Sequence, residues 1–404
     1  YSVCSANGYV SRRHLKEDVS DGSCVLIEST ANQCDQNGGY TGMTPADFKK
    51  FVLEIADRNG FDRNRIFLGG DHLGPLTFAY KDEAEAMADS EELIRHYVAA
   101  GFTKIHIDTS MKVNSDPEDV RLSDEIIAGR GAHLAKVAEE TYKELLERDP
   151  EAIPPVYVIG SEVPIPGGAV GAEDNGVQVT KVEDFKNTVA AFEKAFAKEG
   201  LDKDVWERVI GVVVQPGVEE KDSGCTEYDR EKAKDLMAAI KDFPTLVFEG
   251  HSTDYQTKIK LRELVEDGVG ILKVGPGLTF AMREAMFALE NIEKERVNKQ
   301  KGNGTLDESN QGIPILDPTN AQYQLREAAR EFQSDYKGWT RDINGSVTER
   351  AIQILVDVIP KYPVYLINGD DEAKDISKLR LWETDSIHNF LLIHWERNAN
   401  SALR

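Results

Sequence analysis

The chain has 404 residues, 71 of them acidic against 48 basic, for a net charge of −23. That length allows one large α/β domain with an appendage, and no apolar run approaches what a bilayer crossing needs. The acidity argues against a nucleic-acid or anionic-membrane surface, which needs clustered Lys and Arg, and reads as solubility or a salt-tolerant source. Cys4, Cys24, Cys34 and Cys225 show no Cys-x-x-Cys spacing. In a chain this long they are expected to stay reduced, which fits a cytoplasmic protein. Tyr1 falls inside an expected strand with neither a Met nor a leader before it, so a few residues are expected to be missing ahead.

In chain order, strands are expected at Tyr1–Ala6, Cys24–Ser29, Arg65–Gly69, Lys104–Asp108, Val156–Gly160, Val209–Val214, Leu246–Glu249 and Gly270–Val274. Between them run amphipathic helical patterns: Pro45–Asn59, Glu83–Ala100, Ser123–Arg148, Val182–Glu199, Asp229–Lys241, Asp254–Asp267 and Thr279–Arg296. In the first of these, Phe48, Phe51, Val52, Ile55 and Ala56 share a face, with Thr44 and Pro45 as cap and first-turn proline. The slot at 7–22 is weak, because Arg12-Arg13-His14 and Lys16-Glu17-Asp18 leave few apolar positions. Eight strand–helix repeats predict a (β/α)₈ barrel over residues 1–296. A doubly wound sheet is disfavoured because no Gly-x-Gly-x-x-Gly turn follows a strand. A polar linker is expected at 297–317 and a helical C-terminal extension at 318–404, with helical spacing at Ala321–Gln333, Ser346–Val358 and Thr384–Asn398.

Chemistry-bearing residues gather at the strand ends. Asp71 and His72 follow the third run, Asp108 ends the fourth, Glu162 follows the fifth and His251 the seventh. Barrel enzymes keep their functional groups at that rim, so four such endings point to a metal-assisted site, with His72 as ligand and Asp71 as acid–base. Adjacent side chains diverge on a regular strand, and both reach one cavity only where the strand breaks. The alternative is a capping Asp beside a satisfied buried His. His106 and Asp108 share a side of their strand, forming either an inner polar layer or a poorly placed histidine on the helix side. Gln215 can place an amide in the site. Lys273, beside Gly275 and Gly277, is a candidate phosphate contact, a Schiff base being its competing use. The loop from Ala31 to Met43, carrying Asn32 and Gln33, reads equally as a lid or a connection.

Ser2-Val3-Cys4-Ser5-Ala6, Asn32-Gln33, Gly38-Gly39-Tyr40-Thr41-Gly42-Met43-Thr44-Pro45, Gly70-Asp71-His72-Leu73-Gly74-Pro75, Gly160-Ser161-Glu162-Val163-Pro164, Val214-Gln215-Pro216-Gly217-Val218-Glu219, His251-Ser252-Thr253-Asp254-Tyr255-Gln256-Thr257 and Leu272-Lys273-Val274-Gly275-Pro276 together resemble the GatZ/KbaZ/AgaZ family. These are large subunits associated with class II tagatose-1,6-bisphosphate aldolases, and the resemblance spans residues 1–296, more loosely beyond. It implies a TIM barrel related to the class II aldolases. It also implies one of two roles: a partner that stabilises a small class II aldolase subunit, or a metal-dependent 4-epimerase of ketohexoses or their phosphates. By the resemblance, Asp71 is the base and His72 and His251 are metal ligands. Gln215 stands where a class II aldolase carries another metal histidine, which leaves the third ligand to Glu162 first and Asp108 next. The resulting expectation is an epimerase or aldolase-type lyase using Zn, Mn, Co or Ni. Asp71 and Asp108 are catalytic, His72, Glu162 and His251 hold the ion, and Asn32, Gln33, Gln215, Asp254 and Lys273 line the substrate. A homo-oligomer is compatible with this reading.

Overall fold

Eight short runs rich in Val and Ile close on themselves in the computed structural model, which describes residues 1–18, 23–117, 119–161, 177–221, 224–275, 277–278, 365–366 and 380–381. The strands are β1 (Ser2–Cys4), β2 (Val25–Thr30), β3 (Ile66–Leu73), β4 (Lys104–Ile107), β5 (Val156–Ile159), β6 (Val209–Val214), β7 (Val247–Gly250) and β8 (Val269–Val274). Each pairs in parallel with the next, and β8 returns to β1 with Ser2 opposite Lys273. This is the (β/α)₈ barrel that the alternating pattern predicts.

The longer described outer helices are α1 (Gly8–Asp18), α2 (Pro45–Arg58), α3 (Glu83–Ala99), α4 (Asp124–Arg148), α5 (Val182–Lys198), α6 (Arg230–Ala239) and α7 (Lys258–Asp267). The weak first slot is thus a helix of 11 residues. In α2, a capping box between Thr44 and Asp47 closes the first turn, and Phe48, Val52, Ile55 and Ala56 are buried. Phe48, Tyr97, Phe102, Phe185, Phe192, Phe196 and Phe248 are buried aromatics of the hydrophobic core, Phe185 and Phe248 meeting edge to face at 5.0 Å.

Two boundaries differ from the expected ones in ways that shape the site. Strand β3 continues past Gly69 and takes in Asp71 and His72. Helix α7 begins at Lys258 under a Thr257 cap, four residues later than Asp254, because Ser252 and Tyr255 adopt left-handed backbone (φ 51° and 62°) that no helix accommodates.

The inside of the barrel is charged where apolar layers are usual. Lys104 reaches from β4 to both oxygens of Glu28 on β2 (3.0 and 2.9 Å) and to Glu249 on β7 (2.6 Å). Lys273 on β8 lies 2.9 Å from Glu28. Gly69 makes room for this network, since a Cβ there would sit 2.6 Å from Glu28 Cγ. The chain divides into a unit built on Tyr1–Gly275 and a second on Pro276–Ala402. In the second, Tyr365–Leu366 and Arg380–Leu381 pair antiparallel. The expected helix at Thr279–Arg296, the linker at 297–317 and the three helical patterns of the extension lie outside the described residues.

Candidate metal centre at the barrel mouth

The register between β3 and β4 explains how two adjacent residues serve one cavity. Gly70 pairs with Ile105 and Leu73 with Ile107, so Asp71 and His72 together stand opposite His106. This is a bulge, and His72 completes it with a left-handed φ of 50°. Such a conformation costs a β-carbon residue about 1–2 kcal/mol and persists where the surroundings enforce it. Next to it, Gly74 allows close approach of the chain, since a Cβ there would lie 2.0 Å from the Asp108 carbonyl oxygen. The Asp108 N–H in turn donates to Leu73 O at 3.0 Å.

The bulge gathers Asp71, His72, His106 and His251, whose potential ligand atoms lie within 4.8 Å of one another. His72 Nδ1 lies 2.9 Å from Asp108 Oδ2, and Ser110 donates to the other Asp108 oxygen. His251 Nε2 lies 2.9 Å from Glu249 Oε1. His106 places Nε2 3.0 Å from the Gly160 carbonyl, and Nδ1 2.8 Å from Asp71 Oδ1 and 3.2 Å from the His72 N–H. Asp71 Oδ2 is 3.1 Å from Lys273.

The electrostatics suit a cation. Burial works against the charged form of Asp71, but Lys273 and the neighbouring histidines outweigh it and hold the carboxyl well below its usual range. Asp108 is depressed in the same way, with the His72 hydrogen bond overcoming burial. Burial also opposes charge on His72, yet Asp71 and Asp108 carry it up to about 9. In His251 burial prevails over Glu249 and brings the ring down to about 4. Glu28, Asp71 and Glu249 pair with the two buried lysines Lys104 and Lys273, and the buried Asp108 brings the carboxyl groups to four, a formal excess of two negative charges. A divalent ion on the imidazoles would neutralise that excess; without one, the carboxylates keep a proton on His72. The donor set therefore fits a borderline divalent metal.

Several expected site residues have other partners. Lys273 is buried between Glu28 and Asp71, at 2.9 and 3.1 Å from their carboxylates. The Gln215 side-chain oxygen Oε1 accepts the N–H groups of Gly217 and Val218 (2.8 and 3.0 Å), which braces its own turn. Gln33 is buried, with Oε1 accepting from Thr30 N at 2.9 Å, while Asn32 is exposed on the same loop. That loop is tied to the barrel wall by the Tyr97 hydroxyl, which donates to Cys34 O at 2.8 Å. The Asp254 carboxylate accepts from Gly275 N at 3.1 Å, joining the ends of β7 and β8. Glu162 lies outside the described residues. His106, Glu28, Lys104 and Glu249 were not singled out as site residues by the strand-end pattern. The available signal was the charged or imidazole side chains set inside short Val- and Ile-rich strands, one each in β2 and β7 and two in β4.

The sequence model described as D-tagatose-1,6-bisphosphate aldolase subunit GatZ/KbaZ-like matches residues 1–337. A second, for the C-terminal domain of T6SS phospholipase effector Tle1-like proteins, matches residues 281–401. Among solved structures, a probable tagatose 6 phosphate kinase from Sinorhizobium meliloti 1021 is 32% identical, with 100% of this chain and 98% of that chain covered and a TM-score of 0.71. A putative fructose-1,6-biphosphate aldolase from Coccidioides immitis is 11% identical (89% of each chain, TM-score 0.41). The fructose-bisphosphate aldolase of Campylobacter jejuni is 14% identical (89% and 90%, TM-score 0.41). Among the described residues no helix is long and apolar enough to cross a membrane.

Proposed function

Because the chain belongs to the D-tagatose-1,6-bisphosphate aldolase subunit GatZ/KbaZ-like family, we propose that its aldolase-related carbohydrate function is catalytic: a cytoplasmic, metal-dependent 4-epimerase of ketohexoses or their phosphates. The observation that carries this reading is a buried carboxylate, Asp71, kept ionised beside three imidazoles at the barrel mouth.

Asp71 takes the proton of the substrate's C4 hydroxyl. The C3–C4 bond then opens, leaving a three-carbon enediolate and an aldehyde. The aldehyde turns, the bond re-forms on its other face, and Asp71 returns the proton to the new C4 oxygen. Fructose and tagatose configurations interconvert with no net change in atoms or charge. Asp108 fixes the His72 ring and Lys273 keeps Asp71 ionised between turnovers. A Zn, Mn, Co or Ni ion held by His72 and His251 would supply Lewis acidity at the C2 carbonyl and offset charge as the bond opens.

The test is turnover of the purified chain alone on D-fructose, D-tagatose and their phosphates, after chelation and again after adding back each metal. Metal-restored epimerisation is expected, lowered by about 10²–10⁴-fold in Asp71→Asn and similarly in His72→Ala. The family description, which names a subunit, favours a second reading: a supporting partner of a small class II aldolase chain. No turnover with any metal, with activity appearing only once such a chain is added, would establish that role instead.

A further inference from the structure

We propose that His106 supplies the third imidazole of the metal centre, so that His72 Nε2, His106 Nδ1 and His251 Nδ1 form its ligand face. This rests on the metal reading of the site and not on the reaction proposed for it. Such a site has no need of the ligand that Glu162 was expected to give or of the histidine replaced by Gln215.

The first support is the assignment of ring nitrogens. A metal-bound histidine characteristically donates its other N–H to a carboxylate or backbone carbonyl, which fixes the tautomer. All three rings meet that condition, each through a different acceptor. His72 Nδ1 faces Asp108 at 2.9 Å, His251 Nε2 faces Glu249 at 2.9 Å, and His106 Nε2 faces the Gly160 carbonyl at 3.0 Å. An acceptor opposite a neutral ring nitrogen requires the N–H there. Once an ion displaces the second proton of His72, the remaining nitrogens, His72 Nε2, His106 Nδ1 and His251 Nδ1, are the ones that carry the lone pairs. A casual cluster of packed histidines has no reason to present three rings in this way.

The second support is a contact that asks for a cation. With its N–H committed to Gly160, His106 Nδ1 is an acceptor, yet it stands 2.8 Å from the Asp71 Oδ1 acceptor. The His72 N–H, 3.2 Å from the same nitrogen, relieves this only in part. Two lone-pair atoms at that spacing are ordinary neighbours around a metal ion. The rings agree with this placement. Metal–nitrogen bonds of about 2.0–2.1 Å set neighbouring ligand rings about 5 Å apart around a tetrahedral ion. The centroids here are 5.0 Å (His72–His106), 4.9 Å (His72–His251) and 5.4 Å (His106–His251) apart. Edge-to-face packing alone reaches similar spacings, so the nitrogen assignment carries the argument and the spacing supports it.

The outer partners extend this design through the barrel. Glu249, which orients His251, is held by Lys104; Lys104 is held by Glu28, which also binds Lys273. The three rings are thus set by Glu249 of β7 and by Asp108 and Gly160, the residues just past β4 and β5.

The experiment loads the full chain, after chelation, with Co²⁺ and counts bound imidazoles by X-ray absorption at the cobalt edge, alongside a competition measurement of affinity. Three imidazoles are expected in the wild type, two in His106→Gln and three in Glu162→Gln. His106→Gln should weaken Co²⁺ binding by more than the roughly 10–100-fold that Glu249→Gln costs through loss of an outer partner. Circular dichroism of the metal-free variants checks folding, and His106→Asn replaces His106→Gln if that variant fails to fold. Two imidazoles in the wild type, or a count unchanged when His106 is replaced, would overturn the proposal. Three imidazoles lost to two in the His106 variant, with no sugar turnover, would sink the epimerase reading and leave this one standing; turnover with two would do the reverse.

Discussion

At the residue scale, Asp71 has a different neighbour at each oxygen: His106 at Oδ1 and Lys273 at Oδ2. Lys273 is the largest favourable influence holding its carboxyl down against burial. Lys273→Met should therefore raise the Asp71 pKa, and a base works only when ionised. The acidic limb of the pH–rate profile should move to higher pH, with turnover at pH 6 falling by a larger factor than at pH 8. A profile lowered evenly, with no displaced limb, would show that Lys273 matters for folding alone. Breaking its buried pairing should also cost about 3–5 kcal/mol of stability, read from denaturant unfolding. Asp71, His72 and His251 stood out in the sequence because each closely follows an apolar run, although Asp71 and His72 prove to lie within β3. His106 was harder to place. Spacing puts it on one side of β4, and only the barrel's closure decides that this side is the interior. Lys273 illustrates the converse: a lysine at the end of the eighth strand suggests a phosphate contact, but its partner Glu28 lies 245 positions earlier in sequence, and local pattern cannot pair them.

At the element scale, the site depends on how closely the ends of β3 and β4 approach. The one-residue bulge turns Asp71 and His72 inward, and Gly74 then allows the chain to run against the Asp108 carbonyl. Gly74→Ala places a methyl group at 2.0 Å from that oxygen, so backbone has to move. The expected result is a loss of about 1–3 kcal/mol, measured by urea unfolding of the metal-free protein. It should be accompanied by weaker metal binding as Asp108 withdraws from His72. Unchanged stability and affinity would mean that the loop relaxes without disturbing β4. Eight strands and their order were readable from alternating runs, since hydrophobic periodicity survives without tertiary information. The bulge was not, because it arises from the register between two strands. The late start of α7 has the same character: Ser252, Thr253 and Asp254 read as caps, but the left-handed turn through Tyr255 defers the helix to Thr257.

At the scale of the whole molecule, the site's charges make folding depend on both pH and metal. His72 is raised to about 9 in the folded state, above the value near 6.5 of an unfolded histidine. A raised group contributes stability that is complete below about pH 6.5 and is lost as pH climbs through 9. His251 is lowered to about 4, which reverses the sign: its contribution is complete above about 6.5 and is lost as pH falls through 4. Asp71, Asp108 and Glu249 are all depressed as well. Their contribution is present above the unfolded carboxyl values near 4 and disappears below them. The metal-free protein should therefore show a thermal midpoint that peaks near pH 6.5–7 and declines on both sides, more steeply below about pH 4. Bound metal takes the place of the proton on the site, and its ligands must be deprotonated. Saturation with Zn²⁺ should thus raise the midpoint, by about 2.7 kcal/mol of stability at a hundredfold excess over Kd, and flatten the alkaline decline. Thermal melts from pH 4 to 9, with and without Zn²⁺, check both parts. An alkaline limb that persists unchanged in the loaded protein would mean that the ion does not displace the His72 proton, and that the excess negative charge of the barrel is balanced elsewhere.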